Sequence, residues 1–266
     1  MDRRSSMVFK THCYVNCYWK PTPEFYDWVE QNKEWVVPIN ANPECRYSGM
    51  ENLADIDKDM QELNFTLNEI STLLAIYHRK PPAEVQYVSL SNYRRVFDGK
   101  EIDELLQDHP DAIFGYPIQL GYYGNPVTVA RQYPLMHVDS DFAAFLAHLS
   151  CQSWVDLDCL QKWLHLNCLV APCNSFVMVR EVYNQFCERL EKVIVKTVDD
   201  IGLKNIAKRD AYQRRAGAFL SERFTSFYCF QMLSQGQRVK FASLEFKENF
   251  AEKKAEVDAN GTIRSN

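Results

Sequence analysis

Glycine is scarce in this chain: only nine of 266 residues. Neither a GxGxxG string nor a GxxxxGK[ST] string occurs. This excludes the dinucleotide fingerprint and the phosphate-binding P-loop, both of which need glycine where backbone meets phosphate. There is no GxSxG nucleophile elbow either. No apolar run reaches the length of a membrane span. The opening Met1-Asp-Arg-Arg-Ser-Ser is basic but leads into no apolar signal region, so a cytosolic protein is expected. Basic residues are not in excess: 30 Lys and Arg face 35 Asp and Glu, a net charge of −5, which argues against nucleic acid as a partner. The nine cysteines form no CxxC pair. Reduced, mostly buried thiols fit this better than a zinc site or a disulfide framework.

What is present is a large apolar complement, 46% hydrophobic and 13% aromatic, enough for one large α/β domain or two small ones. An opening strand lies within residues 7–18, and a short helix within 24–35. Val36-Val-Pro-Ile39 reads as a second strand, near an edge or strand end because of Pro38. Residues 40–63 are polar and aperiodic and read as a loop. From Thr66, Leu67, Ile70, Leu74 and Tyr77 fall on one helical face. Val85 opens a buried strand that runs directly into Tyr93-Arg94-Arg95, and residues 111–114 form another strand. The Gly- and Tyr-containing stretch 115–136 reads as a loop lining a site. Ser140 is expected to cap a helix with Phe142, Phe145, Leu146 and Leu149 inward. A second helix over 155–166 puts Leu157, Leu160 and Leu164 inward. A strand over 175–179, helices over about 181–201 and 217–232, and a last strand over 239–246 complete the order. Helices between strands predict crossover units and a mostly parallel sheet.

Three features carry chemistry. Arg94 and Arg95 stand at the carboxyl end of a buried strand, where α/β sheets bind ligands, and guanidinium suits phosphate oxygens. Structural ion pairing is the alternative. Three Asp-x-Asp pairs occur, Asp57/Asp59, Asp139/Asp141 and Asp156/Asp158. None directly follows a central strand, where a metal-binding pair would hold a diphosphate, and the last two suit first turns of helices. In Arg214-Arg-Ala-Gly-Ala-Phe-Leu-Ser-Glu-Arg223, Gly217 permits close backbone approach and Glu222 is a candidate general base; ordinary ion pairs on an exposed helix are the alternative. His12 and His137 are further acid–base candidates, or satisfied structural histidines. Glu69, flanking the Leu67–Tyr77 stripe, is placed to reach a cleft.

Taken in order, these strings resemble the bacterial glycosyltransferase family of capsular polysaccharide synthesis proteins. Lys10-Thr-His12 and Val36-Val-Pro-Ile39 match its opening strands. Asn64 to Ser71 keeps the Asn and Glu of its Asn-x-x-x-Cys-Glu-Leu-Thr helix. Ser89 to Phe97 matches Gly-Leu-x-His-Tyr-Arg-Arg-Tyr-Phe. Asn174 to Val179 matches Asn-Met-Phe-Ile-Met-Lys, and Arg214 to Arg223 matches Arg-x-x-Gly-Phe-Leu-Ser-Glu-Arg. The matches cover roughly residues 8–246. Two departures bear on donor or acceptor preference: Asn92 stands where the family has histidine, and the Gly-Asp-Asn stretch before the Glu helix is absent.

The resemblance implies a single GT-A-like, Rossmann-like α/β domain over 7–246; the charged residues 247–266, which lack a core pattern, are expected to form a flexible tail. It implies transfer of a sugar, with galactose or galactofuranose the family's lean, from a nucleotide-diphosphate donor such as a UDP-sugar. The acceptor would be a hydroxyl of a surface polysaccharide or lipid-linked oligosaccharide. By this likeness Glu222 is the catalytic base of an inverting displacement. His12, Glu69, Tyr93, Arg94, Arg95 and Asn174 bind the donor, and Asn92, His137, Asp139 and Arg223 serve the acceptor or a secondary role. No cofactor is expected, because the arginines take the place of a metal; manganese is the disfavoured alternative. The location would be cytoplasmic, with peripheral contact on the cytoplasmic face of the inner membrane. The alternatives are a nucleotidyl or phosphosugar transferase and a non-catalytic sugar-nucleotide-binding subunit of a synthase complex.

Overall fold

Successive side chains of a strand point to opposite faces, and here both faces of the central strands are apolar. In strand Thr11–Cys17, Cys13, Val15 and Cys17 join one buried cluster and Tyr14 joins another. Ile113 and Val177 divide in the same way from Ala112, Phe114, Phe176 and Met178. A period of two with no polar face requires helices on both sides of the sheet. The computed structural model describes residues 9–170 and 173–250, together with a short ladder of Glu256–Val257 on Ile263–Arg264.

The main sheet runs Val239–Ala242, Ala112–Gly115, Phe176–Val179, Tyr87–Asn92, Thr11–Cys17, Val36–Asn40, Glu51–Asn52. Its neighbours are parallel except around Phe176–Val179, which runs against both Tyr87–Asn92 and Ala112–Gly115. Helices Glu69–Arg79, Arg180–Leu190 and Ala216–Ser234 cover one face, and Pro23–Gln31 and Gly99–Leu106 cover the other. The expected mostly parallel sheet flanked by helices is present.

Ala216–Ser234 is buried on nearly all sides. Gly217 makes its approach to helix Lys58–Leu67 possible. A Cβ there would sit 2.7 Å from Leu67 Cδ2 and 3.1 Å from the Thr66 carbonyl, and the Gly217 N–H donates to Thr66 Oγ1 at 3.1 Å. Among the described residues, no helix is long and apolar enough to cross a membrane.

Several local expectations are corrected. Residues 40–63 are not one loop: they contain the edge strand Glu51–Asn52, helix Leu53–Ile56 and most of Lys58–Leu67. Asp57 starts that last helix by accepting the Met60 N–H at 3.1 Å, a cap inside a polar stretch with no apolar period. Ser140 is not a cap, since helix Asp139–Ser150 begins after Val138. Leu157 is 56% exposed rather than inward. The last strand is two, Val239–Ala242 and Leu244–Phe246. Of the charged tail, Phe250 is buried against Phe25 and Trp28; apart from the short terminal ladder, the rest of the tail lies outside the described residues.

Candidate active site

The parallel strands end together at one edge, at Cys17, Asn40, Asn92, Gly115 and Ala242. The antiparallel Phe176–Val179 enters the sheet from that same edge, which brings Cys173 and Asn174 to it. Asparagines hold this edge in place. Asn16 Oδ1 accepts the Thr72 hydroxyl at 2.7 Å, and Asn40 Nδ2 donates to the Cys45 carbonyl at 2.6 Å and to Asn52 Oδ1 at 2.9 Å. Beside them opens a cleft of about 580 Å³, whose polar wall includes Arg95, Gln132, His137, Cys173, Glu222 and Arg223.

The Tyr93-Arg94-Arg95 step is the turn of a β-hairpin. Asn92 pairs with Arg95 across it, and Asn92 Oδ1 accepts the Arg94 N–H at 3.0 Å. This side-chain-to-backbone bond two residues on is what Asn supplies in tight turns. The returning strand Arg95–Phe97 pairs with Leu244–Phe246. The two guanidinium groups diverge. Arg95 reaches the cleft, where it donates to Cys173 Sγ and lies 4.8 Å from the centre of the Phe246 ring. Arg94 is exposed, stands 5.3 Å over the Tyr93 ring and does not line the cleft. Tyr93 is 4% exposed, and burial pushes its phenol up. No carboxylate among the described residues lies within ion-pair distance of either arginine.

Glu222 projects into the cleft from helix Ala216–Ser234. It lies 3.7 Å from Arg223 Nη1, and the nearby Cys173 backbone favours its charged form. Burial raises its pKa against the pull of Arg223, Arg95 and Arg215. A carboxylate held above its ordinary range is suited to taking a proton near neutral pH. Behind it Glu69, 8% exposed, accepts Asn174 Nδ2 at 2.9 Å, and Asn174 Oδ1 accepts the Thr225 hydroxyl at 3.1 Å. Burial, with the charge of Glu222, raises Glu69 as well. Cys173 and Asn174 have φ of 64° and 51°, a left-handed pair of non-glycine residues held by this network. Burial pushes the Cys173 thiol up to about 12, so it meets Arg95 as a neutral thiol.

Arg223 is 3% exposed; its Nη2 donates to Gln132 Oε1 at 2.5 Å, and its Nε has no partner among the described residues. His137 stacks on Phe219 with ring centres 4.0 Å apart, and its Nδ1 is likewise unpartnered. Burial, then Arg223 and Arg215, push His137 down to about 4.

The fold thus brings Arg95, Glu222, Arg223 and His137 to the cleft and sets Glu69 and Asn174 behind it. It does not bring His12 there: His12 opens its strand, at the opposite edge of the sheet, half-buried near Lys10 and Glu84. Asp139 is exposed in the first turn of its helix and is not in the cleft wall. The Asp-x-Asp pairs have structural work: Asp57 and Asp156 cap helices, and Asp141 makes a two-point pair with Arg209 at 2.5 and 2.9 Å. Among the described residues no three His, Cys, Asp or Glu side chains come together to hold a metal. Sequence reasoning missed Cys173, Gln132 and Arg215. Cys173 had a signal in its adjacency to Asn174, and Arg215 in the Arg214-Arg215 run; Gln132 had none.

Residues 29–232 match the model of the family described as "Domain of unknown function (DUF4422)". The chain belongs to the DUF4422 family. No curated protein matches it. Among solved structures, the apo structure of WbbM, a bifunctional glycosyltransferase, superposes with a TM-score of 0.71 at 14% identity. The match covers 91% of this DUF4422 chain and 46% of that one, so the chain spans about half the length of its structural relative. At that identity the likeness establishes the fold, GT-A-like as expected.

Proposed function

We propose that this chain is a glycosyltransferase that moves a sugar from a nucleotide-diphosphate donor to an acceptor hydroxyl. The observation that carries the reading is Glu222. Its carboxylate lines a cleft at the carboxyl edge of a GT-A-like sheet, with the Arg95 guanidinium in the same wall, and partial burial there favours its protonated form. In the reaction, Glu222 takes the proton of the acceptor hydroxyl as its oxygen bonds to the anomeric carbon. The bond from that carbon to the donor phosphate breaks, and the electron pair leaves with the diphosphate. Single displacement inverts the anomeric centre. The charge developing on the leaving group meets Arg95, and a fixed cation aimed there lowers the barrier. Arginine in place of metal is supported by the capping and pairing of Asp57, Asp141 and Asp156.

The motif resemblance supports the finer reading: a UDP-linked donor, galactose or galactofuranose, and an acceptor in surface polysaccharide or lipid-linked oligosaccharide assembly at the cytoplasmic face of the inner membrane. The test is turnover of a UDP-sugar panel, with slow hydrolysis standing in for transfer, in EDTA and in manganese. Hydrolysis undiminished by EDTA is expected. UDP binding without hydrolysis of any sugar would move the reading to a non-catalytic sugar-nucleotide-binding subunit.

A further inference from the structure

The cleft has two chemically different ends. At one, Arg95 faces Cys173 and Phe246. At the other stands an aromatic wall: His137 lies 5.7 Å from Tyr212 and 4.0 Å from Phe219, with interplanar angles of 17° and 29°. Arg215 lies over this wall, its guanidinium 5.1 Å from the Phe219 ring and 5.9 Å from that of Tyr212. Glu222 lies between the ends, within the field of both Arg95 and Arg215.

Two observations at the aromatic end point to an absent ligand. Arg223 is almost fully buried, yet its Nε donor is unfilled, and so is the Nδ1 of His137 beside it. Buried polar atoms in native proteins are nearly always hydrogen-bonded, and an unfilled guanidinium donor is costly. The local charge is also unbalanced. Arg215 and Arg223 stand against the carboxylates of Glu222 and Glu69, both of which burial biases toward the neutral form, and no carboxylate among the described residues lies within ion-pair distance of Arg215. The low pKa of His137 is a consequence of this positive field acting with burial.

We propose that this end of the cleft is an acceptor subsite for a sugar bearing an anionic substituent, its ring against the Tyr212–Phe219–His137 wall and its carboxylate or phosphate facing Arg215 and Arg223. This rests on the transferase reading for the word acceptor, and it names the substrate class. A neutral sugar would use the wall and fill the free donor, but would leave the positive field of the two arginines uncompensated. With the ring on the wall, the Glu222 carboxylate borders the acceptor, as a base for its hydroxyl must.

The experiment is a binding comparison on the full chain with UDP present to fill the donor end. The probes are methyl glucoside, methyl glucuronide and glucose 6-phosphate, followed by ligand-detected NMR titration. Charge-assisted contact to an arginine should make at least one anionic probe bind about tenfold tighter than methyl glucoside. Tightening by the glucuronide alone identifies a carboxylate, and by the sugar phosphate alone a phosphate. Arg215 is exposed, so Arg215→Ala leaves the fold intact; it should bring the anionic probes down to the neutral one, and Arg215→Lys should restore much of the gap. Tyr212→Ala should weaken all three alike. Equal affinity of the three probes, binding of none, or an anion preference that survives Arg215→Ala overturns the proposal. Failure of UDP to bind would instead count against the donor reading, and the probe comparison then stands without UDP.

Discussion

The two edges of the central sheet are built from similar residues and put to opposite uses. At the amino edge, charges are paired. Lys10 bridges Glu84 at 2.8 Å, Lys240 bridges Asp108 at 2.8 Å, and Arg238 meets Asp111 at 3.4 Å. Arg180 there donates to the carbonyls of Val85, Pro81 and Pro82 and so ties down the entry to strand Tyr87–Asn92. In the cleft at the carboxyl edge, Arg95 and Arg215 have no carboxylate within ion-pair distance among the described residues, Arg223 keeps a donor unfilled, burial raises the pKa of two glutamates, and two consecutive residues are left-handed. Sites for ligands are places where a fold tolerates strain and unmet charge; the opposite edge carries the stability.

The largest expected effect breaks this contrast at its centre. Glu222→Gln should lower turnover of the sugar-nucleotide by about a thousandfold, as loss of a general base does, while the thermal midpoint holds or rises. Near wild-type turnover would remove Glu222 as the base. Next, one arginine from each edge sharpens the comparison. Arg95→Ala should weaken UDP binding by at least about tenfold in calorimetry with little loss of stability. Arg180→Ala should cost about 2 kcal/mol in urea unfolding, through three carbonyls left without their donor, and leave UDP affinity of the folded protein unchanged. Should Arg95→Ala unfold the protein and Arg180→Ala abolish binding, the assignment of the edges is reversed.

Gly217→Ala tests the scaffold that carries Glu222. Its Cβ has no room against Leu67 and the Thr66 carbonyl, so a loss of about 1–3 kcal/mol is expected, read as a lower urea midpoint.

The smallest effects are in pH dependence, where two histidines should act with opposite sign. Burial lowers the pKa of His78, but its hydrogen bonds to Asp57 at 2.8 Å and Glu191 at 2.9 Å outweigh that and raise it. Its contribution is complete below the unfolded value of about 6.5 and is lost as pH rises through the folded value. His137 is pushed down to about 4 by burial and by Arg223 and Arg215, so its contribution is present above the unfolded value and lost as pH falls toward 4. Urea midpoints across this range should show His78→Ala flattening the alkaline side and His137→Ala the acid side. Parallel profiles for both variants would contradict the two environments.

Much of this was legible in the chain. The continuous apolar strands and the helices between them required a sheet covered on both faces, because alternation with no polar side leaves no other solution. Arg95, Glu222, Arg223 and His137 were identifiable by residue type and position, since a cation after a strand and a carboxylate in a glycine-containing helix are local patterns. Helix Lys58–Leu67 was not, because it is specified by the Asp57 cap and by packing on Ala216–Ser234 rather than by an apolar period. His12 was misplaced for a related reason: a residue at the start of a strand and one at its end look alike in sequence, and only strand direction sends them to opposite edges.

The sequence by itself determined the layered α/β architecture and supplied the charged groups, because periodicity and residue chemistry are local properties. Tertiary structure alone decided which groups meet. It turned Tyr93-Arg94-Arg95 into a hairpin that separates the two guanidinium groups, drove the antiparallel strand in from the carboxyl edge so that Cys173 reaches Glu222, and buried Arg223 with a donor unfilled. Those outcomes depend on contacts between residues far apart in the chain, and burial, which sets the pKa values of Glu69, Glu222 and His137, exists only once those contacts form.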